Sequence, residues 1–213
     1  MIIKALLAHG ASWGPTAQVL KEAIQDRANG RLREYLARFL GYGTVDPVRS
    51  MSASDERATL IGWNLIREKE AFLHSLPLPP SLSRRTDWRR LTVTLAWLTP
   101  INPAHRAYRR AHLWFDAPSG ALVGDRAESD ANAAKRGTLQ HEVFDGERAC
   151  LFVDGDEIAI CVSCRQDGGA FSEPIRYAII VSLEVREGVG LPIYAEIEER
   201  VRLRVPAVRI GAS

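Results

Sequence analysis

The residue types most suggestive of catalysis lie near the amino terminus, where His9 precedes Gly10 and Ser12 follows shortly after. A serine nucleophile needs an adjacent base and a third group that orients the base. No acidic residue is close to His9 in the sequence, and Ser12 lacks the strained, glycine-flanked turn of a nucleophile elbow. We predict that neither residue is catalytic and that His9 ends a helix. Since a triad can be assembled from distant residues, an independent hydrolase remains an alternative.

Several acidic residues in the second half of the chain could supply oxygen ligands to calcium, which prefers several converging carboxylates and carbonyls. The same stretch contains Asp154-Gly155, which is typical of a tight β-hairpin turn, with Val153 and Ile158 flanking it as strand ends. We therefore predict no cofactor and keep calcium as an alternative. The candidate calcium ligands are Asp145, Asp154, Asp156 and Glu157.

Cys161 and Cys164 have the spacing of a redox motif, and Cys150 is the third cysteine. The surrounding run alternates like a strand, which places Cys161 and Cys164 on opposite faces. We therefore predict buried thiols rather than a redox or metal site.

Two clusters of arginine, residues 84–90 and 105–110, are interleaved with aromatic residues, as in proteins that track phosphates and stack bases. Almost all basic residues in this chain are arginine, so such clusters also arise by chance. The formal net charge is only +2, which gives no overall field that would attract nucleic acid. We predict no nucleic-acid partner.

Tryptophans could form a sugar-binding platform on one face of a sheet. Trp97 shares its face with Val93 and Leu95, which favours core packing for that residue. The candidate platform residues are Trp63, Trp88, Trp97 and Trp114.

The elements that must position these residues change character near residue 55. Residues 1–55 have the apolar spacing of helices, and Asp46-Pro47 is typical of the N-cap and first turn of a short helix through Met51. Residues 56–213 have the period of strands, apart from a polar stretch at 119–136 and a segment at 192–204 that fits a helix or a strand.

The sequence thus predicts an α+β protein, a short helical N-terminal segment followed by an antiparallel jelly-roll-like β-sandwich with a C-terminal helix or strand. Residues 59–63 and 71–76 are predicted to pair with each other. The further predicted strands are 91–97, 111–116, 137–144, 148–153, 157–164 and 175–186.

The order of these features resembles the end of a subtilisin-like serine protease (subtilase, peptidase S8 family). Residues 2–14 resemble the helix that follows the one carrying the catalytic serine, and Gly41-Tyr42-Gly43 resembles the Gly-aromatic-Gly turn before the last helix. Many subtilases then carry a jelly-roll domain. The segments that resemble it are 91–97, 111–118, 136–141 and 174–182.

The resemblance implies a serine endopeptidase, but the chain departs from the family where catalysis is concerned. The family sets its serine in a Gly-Thr-Ser sequence, which is absent here; Gly43-Thr44-Val45 and Gly137-Thr138-Leu139 supply no nucleophile. The catalytic Asp, His and Ser would all precede residue 1. We expect no catalytic residues in this chain and a non-catalytic C-terminal region, inactive alone, that braces the catalytic domain or mediates protein interaction.

The expected partner is the catalytic part of a subtilase, in the same or a separate chain, or a second copy that associates through residues 1–55. The alternative is an independent β-sandwich module that binds protein or carbohydrate. No apolar run approaches the roughly 20 residues that span a bilayer, and Met1 begins an amphipathic pattern without a basic leader. We therefore expect a cytoplasmic protein without a membrane partner.

Overall fold

A computed structural model describes residues 1–116, 125–126, 137–146, 153–202 and 208–211. It confirms the α+β class, with four helices before the large antiparallel sheets, a sandwich-like arrangement of those sheets, and a fifth helix between their last two strands. The helices are α1 (Ile2–His9), α2 (Gly14–Ile24), α3 (Leu32–Leu40), α4 (Pro47–Met51) and α5 (Ile193–Arg202). The strands are β1 (Ala11–Ser12), β2 (Thr44–Val45), β3 (Arg57–Ile66), β4 (Glu70–Pro77), β5 (Arg89–Trp97), β6 (Ala111–Phe115), β7 (Asp125–Arg126), β8 (Leu139–Gly146), β9 (Glu157–Gln166), β10 (Ile175–Val185) and β11 (Val208–Gly211).

The helical segment folds as local sequence signals dictate. Helix α4 begins as predicted, because the Asp46 carboxylate accepts hydrogen bonds from the backbone N–H of Val48 and Arg49. Strand β1 pairs with β2, and Gly43 is required at this point, since a Cβ there would lie 2.1 Å from the backbone oxygen of Ser12. Helix α2 ends at Ile24, five residues before the predicted stop, and a 3₁₀ turn follows.

The larger sheet has five strands in the order β3-β10-β5-β8-β7, and the other has four in the order β11-β4-β9-β6. Alternate residues of β3, β4, β5, β6, β9 and β10 face a common apolar core between the sheets, as the period of two predicted. In β10 these are Ile175, Tyr177, Ile179, Val181, Leu183 and Val185.

The predicted pairing of the strands near residues 60 and 73 is wrong. Strand β3 pairs with β10 in one sheet, and β4 pairs with β9 in the other. Both strands present apolar residues to the same core from opposite sides, so their patterns do not distinguish a flat hairpin from a connection between sheets. The short turn between them, with Lys69 in the left-handed region, carries the chain across the sandwich.

Two predictions fall largely outside the described residues. Of the polar stretch at 119–136, only β7 is described, and it forms the edge of the five-stranded sheet; of the predicted strand at 148–153, only Val153 is described. The segment at 192–204 begins as helix α5, and strand β11 follows in the four-stranded sheet.

Candidate functional site

The outer face of the five-stranded sheet is covered by helix α1 over only part of its width. Ala5 of α1 packs against Ala178 and Ile180 of β10 and Ala96 of β5, and all four side chains are fully buried. These contacts form a small apolar cluster that shares no residue with the core between the sheets. The helix therefore lies on the sheet through a patch of small side chains.

Strand β3 lies at the edge of this sheet, and its outward-facing residues are apolar and exposed. Ile61 is opposite Ile180, and Trp63 is opposite Ala178, so they share the face on which α1 lies. Ile61, Trp63 and Leu65 are 44%, 68% and 48% exposed, although outward positions of a half-solvated antiparallel sheet are usually polar. We call Ile61, Trp63 and Leu65 the β3 apolar row. Such a row is typical of an interaction surface.

The helical segment adds further apolar exposure. Ile2 and Leu6 of α1 pack partly against the sheet, whereas Ile3 is 75% exposed and Leu7 51%. The positions differ because residues four apart lie on the same side of a helix, and the side with Ile3 and Leu7 points away from Ala5. Other exposed apolar residues of the segment are Val19, Phe39 and Val48.

Beneath the end of α1 lies a buried polar group that we call the histidine cluster, comprising His9, Thr94, His141 and Ser182. The Thr94 hydroxyl is 2.9 Å from His9 Nδ1 and 2.8 Å from His141 Nδ1. His9 Nε2 is 2.9 Å from the Ser182 hydroxyl. One hydrogen-bonded chain thus joins α1 to the three strands β5, β8 and β10.

Burial and nearby positive groups disfavour the charged form of both histidines of the cluster. Burial, followed by the charges of His141 and nearby arginines, lowers the pKa of His9 well below its ordinary value. Burial, followed by Arg90 and Arg49, lowers the pKa of His141 to about 4. Of the arginines that act on His9, Arg49 and Arg57 are paired with Glu184, at 2.5 Å and 3.9 Å respectively.

The hydrogen bond between Ser182 and His9 resembles part of a triad but cannot act as one. Ser182 lies within strand β10 and is 1% exposed, so substrate cannot reach its hydroxyl. The group that orients His9 is the Thr94 hydroxyl rather than a carboxylate. Ser12 lies in β1, and the hydrogen bonds of the His9 ring go to Thr94 and Ser182.

The candidate calcium ligands have other partners. Asp154 pairs with Arg200 at 2.5 Å, Asp156 accepts a hydrogen bond from the backbone of Val153, and Glu157 accepts one from Ser75. Asp145 lies opposite Arg90 on β5. Within the described residues, no group of three or more His, Cys, Asp and Glu side chains is placed to bind a metal ion.

The arginine clusters carry structural contacts. Arg85 pairs with Asp87, Arg109 pairs with Asp167, and the buried Arg89 donates to the backbone oxygen of Arg85. Arg110 donates to the backbone oxygen of Ala170. These contacts hold the loops beside β5 and β6, and they give no support to a phosphate-binding surface.

The structure does not bring the four candidate tryptophans together. Trp97 is fully buried in the core as predicted, and Trp114 stacks on His112 in the other sheet. Trp88 lies under Arg186, and Trp63 belongs to the β3 apolar row. The sequence analysis therefore included Trp63 among its candidate binding residues but did not predict the β3 apolar row to which it belongs.

The prediction of opposite faces holds for the two described cysteines, but the prediction of burial holds only for Cys164, because Cys161 is partly exposed. Cys161 and Cys164 lie on opposite faces of β9, and Cys164 is buried. Burial, and then the charges of Glu68 and Glu70, raise the pKa of the Cys164 thiol to about 12, which makes it a poor nucleophile. Cys150 lies outside the described residues.

Comparisons with known proteins give little further information. No protein-family model matches this chain, and no curated protein matches it. A solved structure titled "Acidic stable capsid structure of Helicobacter pylori bacteriophage KHP30" is similar with a TM-score of 0.33 and 8% sequence identity, over 75% of this chain and 94% of that chain. A similarity this low says nothing about function. Among the described residues, no helix has the length and apolar character needed to cross a membrane.

Proposed function

We propose that this chain is the non-catalytic C-terminal region of a subtilisin-like serine endopeptidase and that it packs against the catalytic part through the outer side of its five-stranded sheet. The observation that carries the proposal is the exposure of Ile61, Trp63 and Leu65 on one strand, beside a helix that exposes Ile3 and Leu7. Large apolar side chains clustered on one side of a fold favour association with another protein surface.

The local arrangement of the helical segment is consistent with this proposal. The Gly41-Tyr42-Gly43 turn leads into the short strand β2 and then into helix α4, the order that the resemblance to subtilases implies. Tyr42 donates a hydrogen bond to the backbone of Leu139, so the turn also contacts the sandwich. If the helical segment is to link a catalytic core to the sandwich, it must contact the sandwich, as Tyr42 does.

The β3 apolar row suits a protein partner better than a sugar. A sugar-binding tryptophan needs polar groups beside its ring to bind hydroxyls. The outward neighbours of Trp63 on β3 are Ile61 and Leu65, which offer no side-chain hydrogen bonds. We therefore favour a protein partner, either the catalytic part or, failing that, a second copy of this chain.

The test is co-expression of this chain with the product of the reading frame that precedes it in its own genome and encodes Asp, His and Ser segments of a subtilase. We expect the two to co-purify and the Trp63→Ser variant to weaken the complex by about tenfold or more, as for a central interface tryptophan. The matched control is Val153→Ser, which removes another exposed apolar side chain, beside the Asp154 turn. Absence of such a coding sequence upstream, whether continuous with this chain or separate from it, or equal binding of both variants, would contradict the proposal.

A further inference from the structure

The histidine cluster lies between two separately packed parts of the molecule. His9 is the last residue of α1, whereas Thr94, His141 and Ser182 belong to three neighbouring strands of the sheet. The apolar contacts of α1 with this sheet belong to a small cluster around Ala5, distinct from the core of the sandwich. Loss of the histidine cluster would therefore loosen α1 without removing any residue from the main core.

The hydrogen bonds of the cluster depend on neutral histidine. The Thr94 hydroxyl has one hydrogen, so it can donate to at most one of the two Nδ1 atoms, and its hydrogen keeps a partner in this cluster only where one Nδ1 is unprotonated. If both rings were protonated, both Nδ1 atoms would be donors and the Thr94 hydrogen would lose its acceptor. His141 Nε2 is buried and has no hydrogen-bond partner among the described residues, so a proton placed there would bury an N–H without an acceptor.

The charged groups around the cluster also oppose protonation. Arg49 of α4, Arg57 of β3 and Arg90 of β5 each disfavour a positive charge on His9. Two anions lie on this side. The Glu184 carboxylate of β10 is paired with Arg49 and Arg57, and Asp46, whose backbone N–H donates to Gly10 O, also acts on Arg57. Two further polar residues lie nearby, one against the His141 ring and one on α1 itself. The Tyr42 ring meets the His141 ring edge-on, and Lys4 of α1 donates to Thr138.

We propose that the histidine cluster is a proton-operated latch, in which proton uptake by His9 or His141 releases α1 from the five-stranded sheet while the sandwich stays folded. Release uncovers Ala178 and Ile180, which lie directly opposite Trp63 and Ile61. The β3 apolar row would then widen by one strand. This inference concerns the chain alone and holds whether or not the row binds a peptidase.

The experiment is amide hydrogen–deuterium exchange by mass spectrometry, expressed as protection factors so that the intrinsic effect of pH is removed. An exposed imidazole titrates near pH 6.5. If one proton is taken up when α1 leaves the sheet, the protection factor of α1 therefore falls about tenfold for each pH unit below 6.5. We expect α1 to lose protection in this way between about pH 6 and about pH 4.5, while β10 remains protected. Constant protection of α1, or parallel loss in α1 and β10, would overturn the proposal.

Variants separate the latch from general acid sensitivity. His9→Gln with His141→Gln removes both titrating groups, and we expect the pH dependence of α1 protection to disappear. The matched control is His74→Gln, which removes a histidine of the four-stranded sheet whose pKa is also lowered by burial. Its α1 protection should follow the wild-type pH curve. The latch would be refuted if the pH dependence of α1 protection were unchanged in the double variant, or if it disappeared in His74→Gln. If the double variant does not fold, the comparison of α1 with β10 in the wild-type protein tests the latch by itself.

Discussion

Trp63 and Ala178 lie directly opposite each other on adjacent strands, yet Trp63 is 68% exposed and Ala178 is fully buried. Helix α1 packs on the outer face of β10 and β5, and its apolar contacts do not extend to β3. The boundary between covered and uncovered sheet therefore runs between two residues of one cross-strand pair. The large indole on the uncovered side is the centre of the proposed interface.

The Trp63→Ser substitution should reduce the binding of an apolar dye and any self-association, without loss of stability. Trp63 contributes little to the fold because most of its surface is already in water, so its free energy of unfolding should change by about 0.5 kcal/mol or less. Dye fluorescence, sedimentation and urea unfolding test these expectations. The Trp63→Phe variant, which keeps an apolar ring, should behave like the wild type. A large loss of stability in Trp63→Ser would show that the indole belongs to the fold.

A larger side chain at the contact between α1 and the sheet should destabilise the protein. Ala5 is fully buried against Ala96 and Ala178, so Ala5→Leu should destabilise the protein by about 1–3 kcal/mol through overpacking. Ile3→Ala, two residues away on the exposed side, should change stability by about 0.5 kcal/mol or less. Urea unfolding followed by circular dichroism compares them. Equal effects of the two substitutions would mean that α1 does not lie on the sheet as described.

The stability of the protein should fall in acid, and His74 should contribute. Its Nε2 is 2.8 Å from the Tyr177 hydroxyl, and burial lowers the pKa of His74 to about 4. A lowered folded-state pKa means that the unfolded chain binds more protons. The contribution is therefore complete above about pH 6.5 and is lost as the pH falls toward about 4, at about 1.4 kcal/mol per pH unit.

His74→Gln should consequently make the plot of unfolding free energy against pH less steep in this range. Urea titrations at several pH values measure the slope, and comparison at neutral pH gives the separate cost of the lost hydrogen bond. Parallel curves for variant and wild type would show that His74 does not titrate as its burial requires.

Calcium should leave the melting temperature unchanged. Asp154 is paired with Arg200 and Asp156 closes its own turn, so these carboxylates already have partners. A specific ligand present at a hundred times its Kd would stabilise the fold by about 2.7 kcal/mol, which a thermal melt detects as a shift of several degrees. Melts in calcium and in chelator should therefore superimpose, and a shift of that size would restore the calcium alternative.

Local signals in the sequence predicted the local structure well. The Asp46-Pro47 pair fixed the start of α4, and the alternation around Leu95 and Trp97 identified a core-facing strand. These predictions succeeded because each depends on neighbours within a few residues. The predicted pairing of β3 with β4 was wrong because sheet partners can be far apart in the sequence. Strand β3 pairs with β10 over ten residues, whereas β4 has only eight.

The histidine cluster and the β3 apolar row were harder to predict. The histidine cluster joins His9 to Thr94 and Ser182, which are 85 and 173 residues away and have the period of ordinary outward polar positions. In β3, residues on both faces are apolar, including Leu60 on one side and Ile61 on the other, so the pattern does not show which side faces water. Only the packing of α1 over β10 but not over β3 distinguishes them.

If this chain braces a serine endopeptidase without supplying its nucleophile, as we propose, a fluorophosphonate probe should not label it. We expect no label on the purified chain and no cleavage of unfolded casein, because Ser182 is buried and its histidine lacks a carboxylate partner. With the co-expressed catalytic part, label should appear on that partner only. Label on any serine of this chain would show that it contains a nucleophile of its own and would refute a purely bracing role.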